Sequence, residues 1–337
     1  MRTPLLLAGT ALLAGAAGLW LGRSASTPPA SAAPSAAMAG AAARAIACGP
    51  SPVDSPHPGM VFVPAGAFTM GADVAFAEEG PATVQTVAGF WMDRTEVTNA
   101  EFAEFVTATH YRTLAERGVR QTADPASTVV AGSAVFRAQP GGAGVRGLES
   151  WWHFVPGANW HEPEGPGSSI TGREHYPVVH IAWEDAAAYA AWKGRSLPTE
   201  AQFEYAAQTS ARKNAAGDYA ANTWQGFFPV HNEPADGHVG AAPVACYEAN
   251  ALGLYDLIGN AWEWTASIYY PRHDFAAKAE HPEGFEPSQP GEAVAVLKGG
   301  SYLCAPDYCM RYRPEARIGQ SKGLGTSHIG FRTVLNP

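Results

Sequence analysis

Glycine and proline interrupt this chain so often that no long amphipathic pattern survives beyond Gly217. That punctuation constrains the fold more than any other feature. With 36 Gly and 27 Pro in 337 residues, turns must carry much of the backbone. The ten Trp must then fill the core between turns, because long helices are not there to do it. The pattern predicts an α+β domain rich in irregular structure, in which bound cations can substitute for missing core. The net charge of −9 excludes nucleic acid as the main partner, since phosphate binding needs a basic surface.

The globular pattern starts at Gly59. Before it, Arg2 precedes an apolar run from Leu5 to Leu21, and a stretch rich in Ala, Ser and Pro follows. Residues 1–39 read as an export signal, cleaved or kept as an anchor, and residues 40–58 as linker. The expected location is therefore periplasmic or extracellular, with membrane contact only through the N-terminal segment. Residues 59–337 form the single folded domain, expected as a monomer.

Within it, Met60–Gly66 and Phe68–Gly71 read as two short strands of one hairpin. Val84–Met92 reads as one further strand region. Thr98 caps a helix with Phe102, Phe105 and Val106 on one face. Gly118–Gly147 reads as a long loop. Trp183–Trp192 is a helix, and Thr199 caps another that carries Phe203 and Tyr205.

There are four cysteines: Cys48, Cys246, Cys304 and Cys309. An even count in an exported chain invites disulfides. Cys304 and Cys309 can close a small loop or, as thiols, bind a soft metal such as Cu(I). Both readings stay open on spacing alone. Arg311 and Arg313 lie close by, and a nearby positive charge favours thiolate. Cys246 has no assigned role and reads as a buried free thiol. Asp256 with Glu263, and Asn222 with Asp236, could give oxygen ligands to a hard cation or merely cap turns.

The residues resemble the formylglycine-generating enzyme (sulfatase-modifying factor) family over roughly 59–334. The segments are GMVFVPAGAFTMG, FWMDRTEVTNAEF, GANWHEPEGP, LPTEAQFEYAA, GLYDLIGNAWEWT, GGSYLCAPDYCMRYR and HIGFR, in the family's order. The resemblance implies a fold related to C-type lectins. It implies oxidation, by Cu(I) and O2, of a cysteine in a Cys-x-Pro-x-Arg motif of a sulfatase polypeptide to formylglycine, with an external reductant. Cys304 and Cys309 map to the copper ligands. Ser301 and Tyr308 map to positions that orient oxygen or the substrate sulfur, and Trp262 to an aromatic flanking the metal. Two structural Ca²⁺ sites are implied: Asn222, Thr223, Asp236 and His238 for the first, and Asp256, Gly259, Ala261 and Glu263 for the second. An Asn expected near the GFR segment is His328 here. Two other readings compete: an exported oxidase of the same superfamily acting on a small molecule or another peptide, and a non-catalytic lectin-like module in which Cys304–Cys309 is a plain disulfide.

Overall fold

The structure is a computed structural model that describes residues 48–50, 54–120, 128–139 and 151–337. The export segment and most of the linker lie outside the described residues. Among the described residues, no helix is long and apolar enough to cross a membrane.

The N-terminal part contains β1 (Met60–Val63), β2 (Gly66–Met70), β3 (Thr83–Val87), β4 (Phe90–Asp93), α1 (Asn99–Thr109) and α2 (Leu114–Arg117). It continues with β5 (Val119–Arg120), β6 (Val129–Val130), β7 (Gly132–Phe136) and β8 (Trp152–Pro156). After it come α3 (Trp183–Trp192), α4 (Glu200–Ala207), β9 (Trp262–Ile268), β10 (Val294–Lys298), β11 (Arg317–Ser321), β12 (Ile329–Gly330) and β13 (Val334–Leu335). Much of the remaining backbone is turn and loop, as the Gly and Pro content predicts.

The expected first hairpin is not formed. β1 pairs antiparallel with β4, and β4 pairs on with β13. β2 pairs instead with β3. The Pro64–Ala65 turn therefore sends successive strands into different sheets. The reason lies in burial: Met60 and Val63 of β1 and Phe90 and Met92 of β4 are all fully buried, whereas β2 and β3 bury little beyond Met70 and Val87. The Val84–Met92 region accordingly splits between β3 and β4. The 118–147 stretch also departs from a plain loop, because β7 pairs with β8 over five residue pairs. The helices fall where their caps put them. Thr98 accepts from the Glu101 N–H, and Thr199 from that of Gln202, each inside a full capping box.

The main sheet runs in the order β11-β10-β9-β12, with β12 parallel to β9. β10 is buried throughout. An aromatic core joins this sheet to α1 and α3 through Phe102, Phe105, Tyr189, Trp262, Trp264 and Phe331, and Cys304 and Cys309 lie in the same cluster. A second core under α4 gathers Phe90, Met92, Phe203, Leu254 and Val334. The sulfurs thus sit at the margin of the largest apolar core, not on an exposed loop.

Two sequence expectations are corrected here. Cys246 is not a free thiol: it is bridged to Cys48 across 198 residues of sequence. Its partner lay in a segment read only as linker. Arg311 and Arg313 do not act as free charge beside the sulfurs. Arg311 pairs with Glu78 and lies 4.1 Å over the Phe76 ring, while Arg313 binds both oxygens of buried Glu79 at 2.6 and 3.1 Å. Their charge is spent on a clasp that ties the 76–79 turn to the segment following Cys309.

Candidate active site

Cys304 and Cys309 are joined as a disulfide in the structure and line a cavity of about 760 Å³. Both are buried, Cys304 at 1% and Cys309 at 9% exposure. The connecting loop is tight. The Ala305 carbonyl accepts the backbone N–H groups of Tyr308, Cys309 and Met310 at 3.0–3.3 Å. Gly300 sets the entry to this loop, with φ +79°. A Cβ there would lie 2.2 Å from the Arg311 carbonyl oxygen and 3.5 Å from the Cys304 sulfur, so only glycine fits.

Ser301, Trp262, Tyr308 and His328 line the same cavity, as do Trp152, Phe228 and Thr326. The structure therefore brings together all five residues of the expected catalytic set. Ser301 is fully buried, and its Oγ accepts the Leu303 N–H at 3.2 Å. Trp262 is buried against the core, while Tyr308 is 45% exposed at the mouth. The Tyr308 ring stacks on Phe228 at 4.1 Å and 6°. Burial raises the Tyr308 hydroxyl above its ordinary pKa, so this phenol stays protonated at neutral pH. Phe228 and Trp152 lie in the segments ANTWQGFFP and WWHFVP, which also resemble the family, but the sequence assigned neither a role in the site.

His328 stands 4.8 Å from Trp152, with Nδ1 at 2.6 Å from Thr326 Oγ1. Behind it lies His180, fully buried, with Nδ1 at 2.9 Å from Ser133 Oγ. Burial pulls both imidazoles down to about 3, and the neighbouring His180 adds to the effect on His328. Both are neutral hydrogen-bonding groups at ordinary pH.

The two expected cation sites sit behind the cysteine loop and touch each other. Asp236 accepts from the Thr223 N–H at 2.9 Å, the His238 N–H at 3.0 Å and Gln225 Nε2 at 2.8 Å. The Asn222 side chain donates to the Gly240 carbonyl, while its buried Oδ1 has no partner among the described residues. An orphaned buried amide oxygen suits a hard cation. Gly259, at φ +81°, packs against the Asn222 backbone. Glu263 is fully buried, and both of its oxygens face Arg332 at 2.7 Å. Asp256 is pushed up to about 6, chiefly by burial. Buried Glu96 is raised well above the carboxylate range by burial first, then by the charges of Asp256 and Glu263. Among the described residues, no three His, Cys, Asp or Glu side chains converge as a ready-made metal cluster.

Asn260 joins these parts. Its Oδ1 accepts from the Ala242 N–H at 2.8 Å and Asn222 Nδ2 at 3.0 Å, and its Nδ2 donates to Glu96 Oε1 at 3.0 Å. Its backbone N–H donates to the Asn222 carbonyl, and its carbonyl accepts the Tyr302 N–H. The Trp224 N–H in turn donates to the Cys304 carbonyl at 3.1 Å. The cation-site loops thereby hold the cysteine loop from behind. No such role for Asn260 was legible in the sequence. Its positive φ of 53° is a signal only the structure supplies.

Comparison with known proteins bears on the family and the fold. Residues 47–337 match the sulfatase-modifying factor enzyme 1-like domain. The chain is 44% identical over 292 residues to a formylglycine-generating enzyme of Mycobacterium tuberculosis, covering 82% of this chain and 98% of that protein. It is 37% identical over 288 residues to a mouse protein named inactive C-alpha-formylglycine-generating enzyme 2, covering 82% of this chain and 85% of that one. The structure of PvdO from Pseudomonas aeruginosa superposes with a TM-score of 0.53 at 22% identity, over 82% of this chain and 93% of that one, which bears on the fold alone.

Proposed function

Because the chain belongs to the sulfatase-modifying factor family, we propose that it converts a cysteine of a sulfatase polypeptide to formylglycine, using the reduced form of the Cys304–Cys309 pair. The observation that carries this reading is two sulfurs side by side on the wall of a cavity large enough to admit a peptide side chain. The substrate segment is a Cys-x-Pro-x-Arg motif. The cysteine gives up two hydrogens with two electrons, water then replaces its sulfur as the aldehyde oxygen and releases hydrogen sulfide, and dioxygen takes those two electrons and two more from an external reductant to end as water.

Reduced to thiolates, the pair is a donor set suited to soft Cu(I). When bound there, copper supplies the site at which dioxygen is activated. The chain's own groups do the rest. Trp262 and the Phe228–Tyr308 stack keep the sulfurs dry on one side. The protonated Tyr308 hydroxyl and buried Ser301 offer hydrogen bonds to the incoming sulfur or to oxygen. His328, neutral in its setting, adds a hydrogen-bonding group where the family places an amide. Ca²⁺ at Asn222, Thr223, Asp236 and His238, and at the loop of Asp256, Gly259, Ala261 and Glu263, would brace the cysteine loop. The Cys48–Cys246 bridge supports export to an oxidising compartment, where the protein would act as a monomer.

The test is turnover of a synthetic Cys-x-Pro-x-Arg peptide with copper and a thiol reductant, followed by mass spectrometry. The product is lighter by one sulfur-for-oxygen exchange and two hydrogens. Cys304→Ser and Cys309→Ser must each abolish it, and full activity in either sinks the proposal. The closed Cys304–Cys309 bridge favours a second reading, a binding module that never opens it. Native thiol titration separates the two: two reactive thiols protected by Cu(I) support the oxidase, and none under mild reductant supports the module.

A further inference from the structure

The cavity that holds the cysteine pair carries few charges on its wall. Arg311 and Glu78 both line it, but they neutralise each other as an ion pair. His328 is neutral at ordinary pH. That leaves Glu286. Its Oε1 accepts from the Ser288 N–H at 3.1 Å and the Ser288 hydroxyl at 2.9 Å. No Lys, Arg or His pairs with either oxygen among the described residues, so the wall carries one negative charge without a counter-charge. The carboxylate is also firmly placed. The Glu286 carbonyl accepts the Gln289 N–H at 2.9 Å, which closes a turn over residues 286–289. The Gln289 side chain clips that turn to the outer edge of β11: its Nε2 donates to the Gly319 carbonyl at 2.9 Å, and its Oε1 accepts the Ser321 N–H at 2.6 Å. On the other side, the Phe285 N–H donates to the Tyr269 carbonyl at 2.9 Å. Ile318 of the same strand lines the cavity and packs against the core cluster that contains Cys304 and Cys309. One strand thus links the sulfurs to the carboxylate. Glu286 falls in the 266–298 interval, which none of the family-like segments covers, so it is a feature of this chain rather than of the shared motifs.

We propose that Glu286 is a specificity-determining residue that receives the arginine of the substrate peptide while the peptide's cysteine lies at the Cys304–Cys309 pair. This inference rests on the proposed oxidation of a Cys-x-Pro-x-Arg segment and adds a residue that selects it. Four extended residue steps carry the peptide about 13 Å from its cysteine to its arginine. A planar guanidinium can span both oxygens of the carboxylate, whereas an ammonium meets it as a point charge. A neutral side chain leaves the anion unpaired. The preference at that position therefore runs Arg, then Lys, then Gln, with Glu repelled. Glu286 is half-buried, which puts the Arg-over-Gln preference at about 10-fold, the lower end for a hydrogen bond to a charged group.

The test uses the full chain, with the cysteine pair reduced, and synthetic peptides bearing Arg, Lys, Gln or Glu at the last motif position. Binding is read by fluorescence anisotropy on peptides whose cysteine is replaced by serine, and turnover on the cysteine peptides with copper and reductant. Wild type should bind the Arg peptide about 10-fold more tightly than the Gln peptide, with a matching ratio in KM and little change in kcat. Added salt should shrink that ratio. Glu286→Gln should bring it close to one, and Glu286→Arg should turn the preference toward the Glu peptide. An Arg-over-Gln ratio that is the same in wild type and Glu286→Gln overturns the proposal. Should the glutamine variant fail to fold, Glu286→Asp takes its place: the shorter reach should lower the ratio, and an unchanged ratio overturns the proposal. A binding preference that depends on Glu286, with no aldehyde formed, keeps the selector and sinks the oxidase reading. Turnover whose Arg preference ignores Glu286 sinks the selector alone, and a protein that binds none of the peptides sinks both.

Discussion

Replacing Asn260 with alanine isolates the joint on which the site's backbone depends. Three losses add up. The buried Ala242 N–H loses its acceptor at 2.8 Å, which costs about 1–3 kcal/mol. Glu96 Oε1 loses the Asn260 donor, at 3.0 Å, and a buried acceptor left unsatisfied costs about 1–3 kcal/mol. Alanine must also adopt the φ of 53°, at about 1 kcal/mol. Asn222 Nδ2 keeps the Gly240 carbonyl, so its loss adds little. The sum is about 5 kcal/mol, allowing for partial relaxation. At about 2 °C per kcal/mol for a domain of this size, the melting temperature should fall by about 10 °C. Asn260→Gly relieves only the dihedral strain and should recover about 2 °C of that loss. Thermal denaturation followed by circular dichroism reads both. A fall below about 3 °C in the alanine variant would show that the hydrogen bonds are replaced by water, and the argument for Asn260 as a hub would fail.

Arg332→Met removes the only cation bonded to Glu263 among the described residues and should destabilise by about 3–5 kcal/mol, read as a lowered urea midpoint; a neutral result would refute the charge balance drawn for this core. Cys48→Ser with Cys246→Ser should cost about 2–5 kcal/mol while leaving peptide turnover per folded molecule unchanged; a parallel loss of turnover would contradict a purely structural bridge. His180 and His328 have folded values near 3 against about 6.5 when unfolded, so the unfolded chain binds more protons between those limits. Their contribution is present above about pH 6.5 and is lost as pH falls toward 3. His328→Asn should flatten the fall of the urea midpoint between pH 7 and pH 5, and an unchanged slope would exclude His328 from it.

Local chemistry was legible in the sequence wherever a short-range rule fixes it. Thr98 with Glu101, and Thr199 with Gln202, announce helix starts because both halves of each capping box lie within one turn. Trp183–Trp192 shows its helix for the same reason. Strand partners were not legible. Val63 and Phe68 are both good strand residues, and only the burial of Phe90 and Met92 decides that β1 joins β4 rather than β2. Side-chain partners failed in the same way. The charges of Arg311 and Arg313 were visible, but Glu78 and Glu79 lie more than 230 residues away. The cysteine pair and its aromatic setting were found through motif resemblance. The Asn260 hub and the orphaned Asn222 oxygen were not, because positive φ and missing partners are properties of a folded backbone.

The second bridge has a practical bearing on how the protein must be handled. Cys48 is exposed, whereas Cys304 and Cys309 are both buried. A gentle thiol should therefore reach the tether at residue 48 first and leave the pocket cystine closed. A harsh one would unfasten both, releasing the N-terminal strap from the loop that adjoins the cation-binding turns. Preparations made at different reductant strengths would then be two different molecules under one label, and disagreement between their activities would reflect the bench rather than the biology.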